Sequence, residues 1–162
     1  VILRVRFRLA REAALHLDYG PVRQRLTQMG IEHPGAQQVS DAICSIRREK
    51  LPDPAELGNA GSFFKNPVVS AEHVARLRQQ YPAVVAYPQA DGQAKLAAGW
   101  LIEQAGWKGY REGDAGVHQL QALVLVNHGQ ASGAQLHELA RKIQADIVKR
   151  FDVELEMEPN LY

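Results

Sequence analysis

Five consecutive apolar residues, Ala122-Leu123-Val124-Leu125-Val126, stand out from a chain in which polar and apolar positions otherwise alternate or recur at helical spacing. The run is short, rich in β-branched members and followed within a few residues by turn-forming Asn and Gly, so it reads as a buried strand. Such a strand needs partners for its backbone and a core around it. Leu3, Val5, Phe7 and Leu9 alternate with Arg4, Arg6 and Arg8, a period of two that predicts an early strand with a basic face. Val153, Leu155 and Met157 alternate with Glu154, Glu156 and Glu158 and predict a late strand with an acidic face. Opposite charges favour pairing these two strands with each other.

Helices are expected between them. Gly20-Pro21 opens a short one and Gly30 ends it, because proline suits a helix start and glycine a helix stop. Val39, Ala42, Ile43 and Ile46 follow helical spacing. Ser70 caps a helix to about Gln80, with Val74, Leu77 and Tyr81 on one side. Leu96, Gly99, Trp100 and Glu103 mark another, stopped at Gly106. Ser132 caps a long one bearing Leu136, Leu139, Ala140, Ile143 and Ile147. The segment from Lys50 to Gly61, with two prolines and two glycines, reads as mostly loop, and Asp91-Gly92 as a turn. Strands and helices are interspersed without regular βαβ spacing, so the class is α+β.

Composition narrows function by exclusion. At 162 residues the chain suits one to two domains. A net charge of +1 argues against a dedicated nucleic-acid surface. No apolar run approaches the roughly 20 residues of a membrane span. The single Cys44 excludes an internal disulfide framework and suits a reducing cytoplasm. Six histidines are scattered without metal-ligand spacing, so no metal is expected, and His118 reads as structural or hydrogen-bonded. Neither G-x-S-x-G nor G-x-G-x-x-G occurs, which disfavours a serine hydrolase and a dinucleotide fingerprint in this stretch.

The densest chemistry lies in Gly58-Asn59-Ala60-Gly61-Ser62-Phe63-Phe64-Lys65-Asn66-Pro67. Glycines allow close backbone approach, Ser62 and Asn66 donate and accept, and Lys65 can pair with an anion. Locally this is either a loop between elements or a ligand site. Arg47-Arg48-Glu49-Lys50-Leu51-Pro52-Asp53-Pro54 lies just upstream. Downstream come Tyr87-Pro88-Gln89-Ala90-Asp91-Gly92, then Lys95-Leu96-Ala97-Ala98-Gly99-Trp100, then Gly116-Val117-His118-Gln119-Leu120-Gln121-Ala122. These four ordered blocks, from about Tyr19 to Glu158, resemble the flavin-dependent UDP-N-acetylenolpyruvoylglucosamine reductases of bacterial cell-wall synthesis, the MurB family, in its longer-chain (type I) branch.

The resemblance implies a division of the chain. Residues 1–49 would end an FAD-binding lobe and connect it, 50–150 would form the substrate-binding domain, and 151–162 would return as a strand to the FAD-binding part. The chain, which opens at Val1 inside a strand pattern, is accordingly read as the C-terminal portion of a reductase whose FAD lobe precedes it. The implied reaction reduces a UDP-sugar enolpyruvate, with FAD as cofactor and NADPH as reductant. A monomer in the cytoplasm is expected, with no nucleic-acid or membrane partner.

Site residues follow from the same resemblance. Ser62 matches the proton donor and Glu158 the second catalytic residue. Read locally, Ser62 could hydrogen-bond its own loop and Glu158 could be one more carboxylate on an exposed face. Lys50 and Asn66, with Tyr19, Tyr87 and Gln121, match positions that bind the UDP moiety. Lys95 reaches the nucleotide or faces water, and Arg47 faces the substrate carboxylate or solvent. Leu51, Gly61 and Ser62 match the approach to the flavin ring. The alternative is a non-catalytic nucleotide-sugar or phosphate-binding domain of the same fold, for which neither Ser62 nor Glu158 would be needed.

Overall fold

A computed structural model of the chain describes residues 2–11, 14–18 and 20–160. It divides into two compact units, Val1–Glu49 and Lys50–Tyr162.

In the first unit, α1 (Val22–Gln28) and α2 (Ala36–Lys50, which runs on to the first residue of the second unit) bury Val22, Leu26 and Ala42 against Leu17, Ile31, Val39 and Ile46. Gly30 stops α1 as expected. With φ at +72° it turns the chain so that its own N–H bonds Thr27 O and the Ile31 N–H bonds Leu26 O, a Schellman closure. Arg25 of α1 donates to both carboxylate oxygens of Glu49 and to Ser45 on α2. Residues 2–10 form no strand, contrary to the period-two reading. Leu3, Val5, Phe7 and Leu9 are largely exposed. Alternation marks a face that wants burial. It supplies neither the burying surface nor a partner for the backbone.

The second unit is built on two antiparallel sheets. The larger has the order β1-β7-β6-β5, with β1 Gly58–Ser62, β5 Arg111–Glu112, β6 Ala115–Val117 and β7 Val124–Asn127. The smaller has the order β2-β4-β3, with β2 Val68–Ser70, β3 Ala86–Pro88 and β4 Gln93–Leu96. Helices α3 (Ala71–Gln80), α4 (Ala98–Gln104) and α5 (Gly133–Phe151) complete it. Part of the apolar run Ala122–Val126 supplies β7, with Val124, Leu125 and Val126 all buried, while Ala122 and Leu123 form the turn before it. The stretch read as mostly loop up to Gly61 yields β1, because β7 offers it a free edge. Leu96 lies in β4 rather than in the helix that follows.

Both serine-cap readings hold. Ser70 accepts from the His73 N–H, and Ser132 forms a reciprocal capping box with Gln135. From there α5 buries Leu139, Ala140, Ile143, Ile147 and Phe151 in the main core. Val153 and Leu155, just beyond it, join the same core. Among the described residues the tail forms no continuous strand and shows no pairing with residues 3–9, and its one bridge is antiparallel, Met157 to Phe64. Phe64 is buried and meets Phe63 edge-on at 5.5 Å between ring centres.

Phe64 therefore joins the tail to the core. Phe64→Ala is expected to cost about 3–5 kcal/mol of stability, as large aromatic truncations in closed cores do. Urea unfolding followed by tryptophan fluorescence measures it, and an unchanged midpoint would show that the tail bridge holds nothing together.

Candidate active site

Strand β1 does not run straight to Ser62. Asn59 faces Val126 and Ser62 faces Val124, so two intervening residues on β1 oppose one on β7. The extra residue makes a bulge, with Gly61 at φ +74° and its N–H bonded to Asn59 Oδ1. A left-handed conformation favours glycine, and bulges re-aim the next side chain. Here that side chain is Ser62, which is exposed. A β-carbon at Gly61 would meet nothing within 4 Å, so the backbone beside Ser62 is open.

The chain then enters the core. The Phe63 N–H donates to Leu123 O at 2.8 Å, and the Glu158 N–H donates to Phe63 O at 2.9 Å. The Lys65 N–H donates to Glu156 O at 2.9 Å, and Lys65 Nζ meets the Glu156 carboxylate. The tail thus lies antiparallel to 63–65, which puts Glu158 opposite Phe63, the residue after Ser62. The pairing brings the backbone of Glu158 beside the residue that follows Ser62, and both Ser62 and Glu158 are exposed.

On the other side of the segment, Asn66 Oδ1 accepts from the Ala98 N–H at 2.9 Å and Pro67 O accepts from the Leu96 N–H at 2.9 Å. In the smaller sheet Lys95 lies directly opposite both Val68 and Tyr87. Cross-strand partners share a face. The row Val68–Lys95–Tyr87 is accordingly the outer face, while Ala94 and Leu96 turn into the core. Gln121 Oε1 stands 3.5 Å from where a β-carbon of Gly99 would lie, in the first turn of α4. Asn66, Tyr87, Lys95 and Gln121 are therefore linked through β4 and α4, and through Leu123 to Phe63 beside Ser62.

Other expected site residues stand elsewhere. Lys50, exposed, ends α2, and the half-buried Leu51 follows it in the connection to β1. Arg47 is exposed on α2 in the first unit. Tyr19 lies outside the described residues. Asn66 also lines an open cleft of about 760 Å³ with Lys65, Val68, Gln144, Glu156 and Met157; neither Ser62 nor Glu158 lines it.

Two features escaped the sequence reading. Lys65, taken as an anion partner, is already paired with Glu156. His118 is not hydrogen-bonded at its buried Nδ1, which has no partner among the described residues. It borders a cleft of about 390 Å³ with Leu57, Arg111, Gln119 and His128. Burial, and then the nearby His128, hold the His118 imidazole below its ordinary pKa. Among the described residues no three potential metal ligands cluster.

The unfolded chain therefore binds this proton at a higher pH than the folded one. The His118 contribution is complete above about pH 6.5 and is lost as pH falls from there towards the depressed folded value. Between pH 7 and pH 5, His118→Gln is expected to lose less thermal stability than the parent. Parallel pH profiles of the two melting temperatures would exclude His118 as an acid-sensitive group.

Comparison with known proteins places these features in a family. Residues 53–162 match the family model described as UDP-N-acetylenolpyruvoylglucosamine reductase, C-terminal domain. Across the whole chain, identity is 79% to the UDP-N-acetylenolpyruvoylglucosamine reductase of Pseudomonas putida and 67% to that of Pseudomonas aeruginosa, covering 48% of each relative. The Chromobacterium violaceum reductase is 58% identical over 98% of the chain and 47% of its own length. The chain thus spans about half the length of the curated relatives it matches. A crystal structure of the Thermus caldophilus reductase (MurB) overlaps 75% of this chain and 33% of its own, with 27% identity and a TM-score of 0.44.

Proposed function

The chain belongs to the UDP-N-acetylenolpyruvoylglucosamine reductase family, and from that premise we propose that it forms the substrate-binding, proton-donating portion of a flavin-dependent reductase. The reaction would convert UDP-N-acetylglucosamine enolpyruvate to UDP-N-acetylmuramate in cytoplasmic peptidoglycan synthesis. In this division residues 1–49 and the returning tail 151–162 adjoin an FAD-binding lobe, and residues 50–150 hold the substrate.

FAD would approach at the exposed backbone of Gly61, where nothing lies within 4 Å of a β-carbon position. When bound and reduced by NADPH, the flavin supplies hydride to one carbon of the substrate alkene. Leu51, Gly61 and Ser62 would border it. This chain's residues do the rest. The Ser62 hydroxyl gives its proton to the neighbouring carbon, which is basic enough to take it from so weak an acid because it carries enolate character. Glu158, whose backbone pairs with Phe63, would steady the site electrostatically. Lys50 and Lys95 offer cations to the diphosphate. Asn66 and Gln121 offer amide hydrogen bonds, and Tyr87 and Tyr19 add aromatic and hydroxyl contacts. Arg47 meets the substrate carboxylate.

One observation supports this reading: the Glu158 N–H to Phe63 O bond, which brings the backbone of Glu158 to the residue that follows Ser62. A domain that only bound nucleotide-sugars would have no use for that juxtaposition. In a full-length protein carrying this chain, Ser62→Ala should leave NADPH-driven flavin reduction nearly unchanged. It should slow enolpyruvate reduction at least about 10²-fold, the range typical of general acid catalysis. Stopped-flow absorbance separates the two half-reactions. Parental turnover in the variant would remove Ser62 from the chemistry.

A further inference from the structure

We infer that Asn66 is a positioning residue, whose side-chain oxygen locks the segment after Ser62 to the start of α4 and so fixes the reacting hydroxyl relative to the nucleotide-binding face. The inference rests on the reductase reading above, since it concerns the placement of the proposed proton donor.

The first N–H groups of a helix have no partner within it. At α4 the residue before the helix is Ala97, which has no side chain able to cap. The cap comes instead from 32 positions earlier, as Asn66 Oδ1 accepts from the Ala98 N–H at 2.9 Å. Ala98 is fully buried beneath Asn66, which itself lines the open cleft, so withdrawing that oxygen trades a fixed bond for water entering from the cleft and unties α4 from the 62–67 segment. On one side of the clamp Phe63 is bonded to Leu123 and Glu158. On the other, Leu96 is bonded to Pro67, with Lys95 and Ala98 as close neighbours in sequence. Asn66 thus spans the join between the hydroxyl and the cation-bearing strand.

The chemistry of the side chain makes the idea separable from direct substrate contact. Asparagine and aspartate both present an oxygen to the Ala98 N–H, and alanine presents none. Aspartate also removes the amide donor and adds a negative charge where a diphosphate is expected. A pure contact residue should therefore tolerate alanine better than aspartate. A positioning residue should show the reverse order in kcat.

Steady-state kinetics of Asn66→Ala and Asn66→Asp, each in a full-length protein carrying this chain, decide between them. A misplacement of about 1 Å can cost about 10²-fold in such steps, so Asn66→Ala should lower kcat about 10-fold or more. Asn66→Asp should keep kcat within about 3-fold of the parent while raising KM for the anionic substrate. Hydrogen exchange of the Ala98 amide should accelerate in the alanine variant and stay near parental in the aspartate variant. Parental kcat in Asn66→Ala, or a loss in Asn66→Asp as deep as in Asn66→Ala, overturns the proposal. If Asn66→Ala does not fold, the kcat of Asn66→Asp alone decides, and a collapse there overturns it. A parent that reduces no enolpyruvate would sink the reductase reading instead. Ala98 exchange would then judge the clamp by itself, unchanged exchange in Asn66→Ala refuting it.

Discussion

The second unit hangs on the backbone hydrogen bonds of one short segment, Ser62 to Pro67. Its groups reach three pieces of the same core: Leu123 beside β7, the tail through Glu156 and Glu158, and the β4–α4 junction through Leu96 and, by way of the Asn66 side chain, Ala98. Phe63 and Phe64 sit in the middle of it, buried. A single such bond contributes about 1 kcal/mol, but leaving a buried donor or acceptor unpaired costs more. The bonds here flank buried aromatic rings, so they stand or fall together with the packing. The two sheets share no strand, and this segment continues from the edge of one into the edge of the other.

That arrangement decides where chemistry can be held. Two groups that must act on one substrate need to be fixed within a fraction of an ångström, and groups on regular, packed elements are fixed better than groups on free loops. Ser62 closes a strand, directly before a residue bonded on both sides. Glu158 is held by its own backbone N–H. By contrast, the Lys65–Glu156 ion pair lies at the surface with both side chains more than half exposed, and such pairs contribute little. The register of the tail is a matter of backbone and core, with the ion pair following from it.

Local patterns carried much of the fold. The run Ala122–Val126, the caps at Ser70 and Ser132 and the stop at Gly30 each rest on chemistry confined to a few neighbouring residues, and each appears in the structure. What stayed hidden was non-local. The alternation over residues 3–9 announces an apolar face without naming what covers it. The alternation over 153–158 was assigned the wrong partner, because charge complementarity with the basic N-terminal stretch is a weak preference beside the burial of Phe64. The Asn66–Ala98 cap joins positions 32 apart and the Lys65–Glu156 pair positions 91 apart, separations at which no periodicity speaks. Ser62 and Glu158 were legible as a pair only through the family resemblance. Read alone, one is a loop serine and the other the last of three exposed acids.

The core also explains why the tail's final acid, rather than an earlier one, has its backbone opposite Phe63. Val153 and Leu155 are buried in the main core while Glu154 and Glu156 face outward. Side chains alternate across an extended chain, so a slip of one residue would drive both glutamates inward and both aliphatics out. Burying unpaired carboxylates is prohibitive beside the few kcal/mol that separate folded from unfolded protein. A slip of two would restore the faces but would take Met157 away from Phe64 and lose the bridge that ends the pairing. Residues with no reactive group of their own therefore set the register that holds the Glu158 backbone opposite Phe63, the residue after Ser62.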